Sequence, residues 1–314
     1  MPVRDIGTQR TEAVRWGNLG LVLVLFGSVI GSALVARRNL RLERADVRGA
    51  TRLAAVTGPV VMAIWLIDEH HVASIWEMYL FSLGLARALF TMALLATMYL
   101  AVEPYVRRTW PSIIVSWSRI VAGDVRDPLV ARDVLIGCAV GPVFVTPSFA
   151  AIWRRSHGGG LLRTSTDLRP FFGAAHALSE LAWLAIYAVC ASFLVLFVLF
   201  ALRQVLRREW AAIVAGALLV GVPLGLAALP SSGSLFLFVS YFILYFFLLA
   251  RAGLVAMIAT NFAYFVLTTF PFTWPATTWY SGIGYVGVTV VAALAITAFR
   301  VATVGNTPAR RTPA

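Results

Sequence analysis

The sequence of 314 residues contains no lysine; all 26 of its strongly basic residues are arginine. That absence excludes a phosphate-binding P-loop, a protein-kinase catalytic core and a pyridoxal enzyme, each of which needs a lysine amine. Charge of either kind is scarce, at 13% of residues, with 14 acids and four histidines. Cysteine is limited to Cys138 and Cys190, both inside apolar runs, so no disulfide framework is expected. No small-x-small site closes the first apolar run, which ends at Arg37 and Arg38. That run therefore reads as a membrane anchor and not as a cleaved signal peptide.

What is abundant is apolar. Hydrophobic residues make up 60% of the chain, against roughly 45–50% in soluble proteins, and the mean hydropathy is +0.83. Several runs approach the length of about 20 residues that crosses a hydrocarbon layer of roughly 30 Å at 1.5 Å per residue. The predicted fold class is all-α, a polytopic transmembrane bundle. Nine spans are expected near 17–36, 53–69, 76–102, 133–153, 176–202, 210–229, 234–250, 252–269 and 279–299. They form one membrane domain over 17–299, between a short outer segment, 1–16, and a disordered basic tail, 300–314. Taken as one helix, 234–269 would be about 54 Å long, so Arg251 and Gly253 are read as a tight turn.

The net charge of +12 is spread over short loops, the pattern of a topology signal facing anionic lipid and not of nucleic-acid binding. Arg37, Arg38, Arg41, Arg44, Arg48 and Arg52 follow the first span, and only Arg4, Arg10 and Arg15 precede it. The N-terminus is thus expected outside and, after nine crossings, the C-terminus inside. One loop resists: 154–175 carries Arg154, Arg155, Arg163 and Arg169 on the outer side. Either it is long enough to escape the rule, or a span before it is miscounted. No repeat relates the two halves, which counts against an inverted-repeat transporter.

Two inner segments are patterned. In 103–132, Ile113, Ile114, Trp117, Ile120 and Val121 recur at helical spacing, with Ser112, Ser116, Ser118 and Arg119 between them. That pattern suits a helix lying in the interface plane, and a docking surface for a partner is the sharper alternative. Ile113, Ile114, Trp117, Arg119 and Arg126 are its candidate docking residues. Asp127-Pro128 then reads as an N-cap with proline in the first turn. Segment 37–52 is the second inner helix candidate, with Arg37, Arg41, Arg44 and Arg48 in a helically spaced row.

Three stretches carry a resemblance: Ala36-Arg37-Arg38-Asn39-Leu40-Arg41-Leu42 continuing to Arg48-Gly49-Ala50; Leu100-Ala101-Val102-Glu103-Pro104-Tyr105-Val106-Arg107-Arg108 with Trp110-Pro111; and Ser116-Trp117-Ser118-Arg119 with Ala122-Gly123-Asp124-Val125-Arg126-Asp127-Pro128-Leu129-Val130. They resemble the C-terminal polytopic domain of certain bacterial serine/threonine protein kinases, in which a cytosolic kinase domain precedes the membrane region. The resemblance covers most of the chain and is densest over 36–137. The departure from the family is plain: 16 residues precede the first span, and glycine-rich loop, lysine, His-Arg-Asp and Asp-Phe-Gly are all lacking. Kinase activity transfers to no position. The resemblance implies a signalling membrane module in a bacterial inner membrane, either free-standing or separated from its kinase by a gene boundary.

Other candidates are weighed residue by residue. His70, His71, His157 and His176 all fall on the expected outer side, near Glu69, Glu77 and Glu180. His176 and Glu180, at i and i+4, could form half a metal site with His70 and His71, or simply cap span ends. No known metal spacing is present, and no cofactor is expected. Arg87, inside the third span, needs a partner in the bundle; Glu180 is the expected one and Glu77 the second choice. His157-Gly158-Gly159-Gly160 lacks the nucleophile elbow that would make it an oxyanion loop. Gly27/Gly31 and Gly221/Gly225 have the spacing that permits close helix packing or oligomerisation. Trp274-Pro275 and Trp279-Tyr280 read as an interfacial aromatic belt, and Phe236 to Phe247 as lipid- and bundle-facing bulk. Three functions compete: a non-enzymatic signalling or anchoring module, a small-solute permease or channel, and an intramembrane metal-dependent enzyme.

Overall fold

The computed structural model describes residues 6–157, 169–228, 232–270, 277 and 281–304. Among these residues all regular structure is helical: α1 (Ile6–Arg41), α2 (Val47–Asp68), α3 (Trp76–Thr109), α4 (Pro111–Ala122), α5 (Pro128–His157), a 3-10 turn (Arg169–Phe172), α6 (Ala174–Leu206), α7 (Glu209–Ala228), α8 (Ser232–Thr269) and α9 (Ser281–Val304). Every one of these helices except α4 is long and apolar enough to cross a membrane, giving eight candidate spans. This is the architecture of a multi-pass membrane protein, in which helices satisfy their backbone groups internally where no water can. Leu23, Phe26, Ile30 and Leu34 of α1 are all more than half exposed, an apolar stripe that a soluble fold would bury.

The helices outrun the apolar segments. The predicted inner helix over 37–52 does not form: α1 continues through its arginines to Arg41, a turn follows, and α2 starts at Val47. Nothing between Gly17 and Arg41 breaks a helix, and Arg38 and Arg41 complement the dipole of its last turn. The segment 103–132 divides likewise into the end of α3, the separate α4, a turn and the start of α5. α1 closes in a Schellman motif, with Glu43 N donating to Leu40 O and Arg44 N to Asn39 O. Glu43 therefore holds the left-handed position (φ 53°) that glycine usually takes. α4 ends the same way with Gly123 at φ 103°. At the start of α5, Asp127 caps the backbone N–H of Leu129 and Pro128 opens the helix, as its sequence predicts.

The nine expected spans and the eight helical ones differ at α8. Positions 234–250 and 252–269 fall in this one element, but it is broken where the sequence placed a turn: Gly253 has φ 89° and ψ 180°, a backbone state open only to glycine.

The chain divides into two compact units. The first gathers Met1–Ala50, Ala96–Ile113 and Phe193–Arg251. Its closest helix approach joins α1 to α7, where a Cβ on Gly17 would stand 2.5 Å from Ala227 N and 2.6 Å from Pro223 O. Gly31 faces Phe197, and Gly221 and Gly225 face Phe238, Val239 and Leu235 of the same chain. Of the two predicted oligomerisation pairs, only Gly27 opens onto free space. The second unit gathers Thr51–Leu95, Ile114–Ser192 and Ala252–Ala314. It has one core around Cys138, Leu184, Val266 and Phe270 and another around Val61, Ile64, Ala88 and Trp183.

Candidate functional site

The arginine-bearing end of the first unit holds the most constructed polar arrangement. Pro104 lies inside α3 and has no N–H, so it cannot donate to the carbonyl of Leu100 one turn earlier. Asn39, 1% exposed in the last turns of α1, makes good the loss. Its Nδ2 donates to Leu100 O at 2.8 Å and to Ala101 O at 3.1 Å. A second link comes from the turn: Asp46 Oδ1 accepts the Gly49 N–H at 2.9 Å, capping α2, and Oδ2 accepts the Tyr99 hydroxyl at 2.8 Å. Only glycine fits at position 49, since a Cβ there would stand 2.5 Å from both Asp46 Oδ2 and Tyr99 Oη. Burial pushes the Asp46 carboxyl up, but the Gly49 N–H, the Tyr99 hydroxyl and the Arg107 charge outweigh it and hold the group below its ordinary 3.8.

One helical turn beyond Tyr99, buried Glu103 accepts from Arg107 Nε at 2.6 Å in an i,i+4 pair. Trp110 lies under the Arg203 guanidinium at 3.7 Å, and Tyr105 packs on Phe200 at 5.0 Å, tying this end to α6. Between the α1–α2 turn and the end of α3 opens a cleft of about 420 Å³, lined by Glu43, Arg44, Ala45, Asp46, Glu103, Pro104, Arg107 and Arg108. Arg44 and Arg108 make no side-chain ion pair or hydrogen bond among the described residues.

The expected outer histidine group lies in the second unit. His71 Nδ1 meets Glu77 Oε1 at 2.6 Å, and Nε2 meets the Leu66 carbonyl at 3.0 Å. With Glu77 ionised both partners are acceptors, an arrangement that suits the doubly protonated ring. The Glu77 hydrogen bond, helped by the charge of Glu69, raises the His71 pKa above 6.5. His70 is exposed, and His176 sits edge-on to Phe172 at 5.9 Å, while Glu180 is buried. Among the described residues no three His, Cys, Asp or Glu side chains are grouped to hold a metal, so the His70, His71, His176 and Glu180 set is not assembled. Arg87 Nη1 lies 3.9 Å from Glu69 Oε1, a carboxylate that the sequence reading did not choose for it. Arg87 is long enough to extend from inside α3 toward the end of α2, the snorkelling that intramembrane arginines favour. Asp68 accepts from the Ser179 hydroxyl and lies 3.9 Å from Arg169.

The docking expectation for α4 needs correction. Ile113, Ile114 and Trp117 are each at most 5% exposed, because the apolar face of α4 is spent on the chain itself. Arg119 pairs with Asp127, Ser116 donates to buried Asp133 at 2.5 Å, and Arg132 donates to the same carboxylate at 2.9 Å. Of the five candidates, Arg126 alone is exposed. The side chains of Arg154, Arg155 and His157, together with Gly158–Gly160, Arg163, Trp274-Pro275, Trp279-Tyr280 and the tail from 305, lie outside the described residues.

Sequence reading missed Asn39, Asp46 and Tyr99. The signal for Asn39 was the pairing of one polar residue near a span end with a proline inside another span. Comparison with protein families, with curated proteins and with solved structures finds no match to this chain.

Proposed function

We propose that the chain is a non-catalytic membrane module of the signalling-kinase kind, crossing a bacterial inner membrane nine times with its N-terminus outside and its C-terminus inside. One observation carries the reading. Two of the stretches that bear the kinase-associated resemblance, Ala36–Ala50 and Leu100–Arg108, are joined by the Asn39 and Asp46 bonds into one polar, arginine-lined structure. The third stretch has its own network in Arg119–Asp127 and Ser116–Asp133. The residues that make these segments recognisable are thus the ones that build the polar ends of the helices. The topology is supported by the arginines at the ends of α1, α3 and α6, and by the break at Gly253, which lets α8 serve as two crossings. The second reading is a small-solute permease or channel, for which Arg87 and the proline-bearing helices α2 and α7 speak.

The test is a C-terminal tag on the chromosomal gene, in-cell cross-linking and quantitative proteomics of the isolate, with its ATP-dependent phosphorylation measured. A kinase or other cytosolic signalling protein should be enriched with the wild type and lost with Arg126→Glu at unchanged abundance. An immunoblot of the tag reports mass, and a product about 30 kDa above 34.1 kDa would carry the kinase domain itself. Absence of any signalling protein, together with solute uptake by liposomes that depends on the chain, would overturn the reading in favour of a permease.

A further inference from the structure

The cleft at the α1–α2 turn is lined by three arginines and three acids, but their charges are not equally engaged. Glu103 holds Arg107, and Asp46 is taken by the Gly49 N–H and the Tyr99 hydroxyl. That leaves Arg44 and Arg108 on the positive side and Glu43 on the negative side, all three exposed and without a side-chain partner among the described residues. A simple anion gains little overall from a lining whose formal charges cancel. A zwitterion with a phosphodiester and a primary ammonium matches the residual pattern: two guanidinium forks for the phosphate, one carboxylate for the ammonium. The lining residues are flanked by apolar side chains that stay exposed, Leu40, Leu42 and Val47, each at least 44% open. Charged forks beside uncovered apolar surface, at the end of two membrane-length helices, mark the level where a headgroup meets its acyl chains.

We propose that this cleft binds one glycerophospholipid by its headgroup, with the phosphodiester held by Arg44 and Arg108 and a primary ammonium held by Glu43, as in phosphatidylethanolamine. The arrangement also gives Glu43 a reason to occupy a left-handed position where glycine would be easier: the carboxylate is needed there. The proposal rests on the reading of this end as a membrane boundary. It is tested on the purified chain, so its failure leaves the co-purification result untouched, and the reverse also holds.

The full chain is purified in detergent, and lipid retention is measured by native mass spectrometry after titration with phosphatidylethanolamine, phosphatidylglycerol or phosphatidylcholine. Phosphatidylethanolamine should be retained best. Arg44→Ala and Arg108→Ala should each weaken it about tenfold, the loss of one charge-assisted contact, whereas Arg37→Ala, on the exposed surface of α1, should not. Glu43→Gln should erase the preference for phosphatidylethanolamine over phosphatidylglycerol while keeping phosphate-dependent binding. Arg44→Lys and Arg108→Lys, which keep the charge but lose the fork, give the intermediate case if either alanine variant fails to fold. Glycerophosphoethanolamine without acyl chains should not compete. If it competes as well as the lipid, the ligand is a free phosphate ester and the lipid assignment is wrong. Equal retention by wild type and the arginine variants, or an unchanged lipid preference in Glu43→Gln, overturns the site.

Discussion

Replacing Asn39 by alanine should destabilise the protein, and replacing Pro104 by alanine in the same chain should repair the damage. Pro104 leaves the Leu100 carbonyl without its helical donor, and Asn39 Nδ2 supplies one at 2.8 Å. In Asn39→Ala that half-buried carbonyl is left with no donor, at a cost toward the lower end of about 1–3 kcal/mol. Ala101 adds less, because residue 105 still carries the N–H that serves its carbonyl. Pro104→Ala returns a backbone N–H to the same acceptor and removes the clash between the proline ring and the preceding turn. In the wild type that N–H enters a site already served by Asn39, so part of its benefit is lost. The two substitutions should therefore couple by roughly 1–2 kcal/mol, with Pro104→Ala more favourable in the Asn39→Ala background. The assay is reversible unfolding in mixed dodecylmaltoside–SDS micelles, followed by tryptophan fluorescence, for all four corners of the cycle. Pro104→Ala effects that agree in the two backgrounds to within about 0.5 kcal/mol, the usual additivity limit, would refute the carbonyl-repair account.

Gly49→Ala should cost about 1–3 kcal/mol, the range for forced overpacking, because its Cβ meets Tyr99 and Asp46 at 2.5 Å. Gly27→Ala, with nothing within 4 Å, should be neutral or stabilising in the same unfolding assay. Gly253→Ala should cost about 1–3 kcal/mol, since φ 89° with ψ 180° is closed to alanine; an unchanged midpoint would mean that α8 is not broken there. His71 has a raised pKa, so its contribution is complete below 6.5 and is lost as pH rises through the higher folded value. The thermal midpoint of the wild type should fall over that interval relative to His71→Gln, and parallel pH profiles would show that the Glu77 and Leu66 contacts do not hold the imidazolium.

The helical class and most of the membrane segments were legible because a bilayer demands long apolar helices and the sequence advertises them. The break at Gly253 was legible for a related reason, since a largely apolar stretch of 36 residues makes too long a rod and glycine marks the place where it can bend. Helix ends were less so. Hydropathy stops at the first arginines, whereas α1 and α3 carry on through Arg37, Arg38, Arg107 and Arg108, because arginine is a good helix former. The α4 surface was misjudged because an amphipathic pattern says that one face is covered and not what covers it; Ile113 and Trp117 are covered from within. Carboxylates for Arg87 were sought by depth in the span, and Glu69 was not among them because a long side chain can also reach along the helix.

In a bilayer, lipid tails are as apolar as leucine, so burying apolar surface does little to choose between one helix register and another. That choice falls to shape and to a few polar bonds. In the first unit, small residues of α1 let α7 approach closely, while Asn39, Asp46 and the Glu103–Arg107 pair fix the arginine-bearing end. These bonds hold the backbone around the cleft, whereas Arg44, Arg108 and Glu43 stand exposed at its rim. Two kinds of substitution should then separate. Asn39→Ala, which acts through the scaffold, should lower both stability and lipid retention, and Pro104→Ala should recover both together. Arg44→Ala, which acts at the exposed rim, should lower retention and leave the unfolding midpoint within about 0.5 kcal/mol of wild type, as surface substitutions do. A retention defect in Asn39→Ala that persists after stability is restored would show that Asn39 or Pro104 touches the ligand directly.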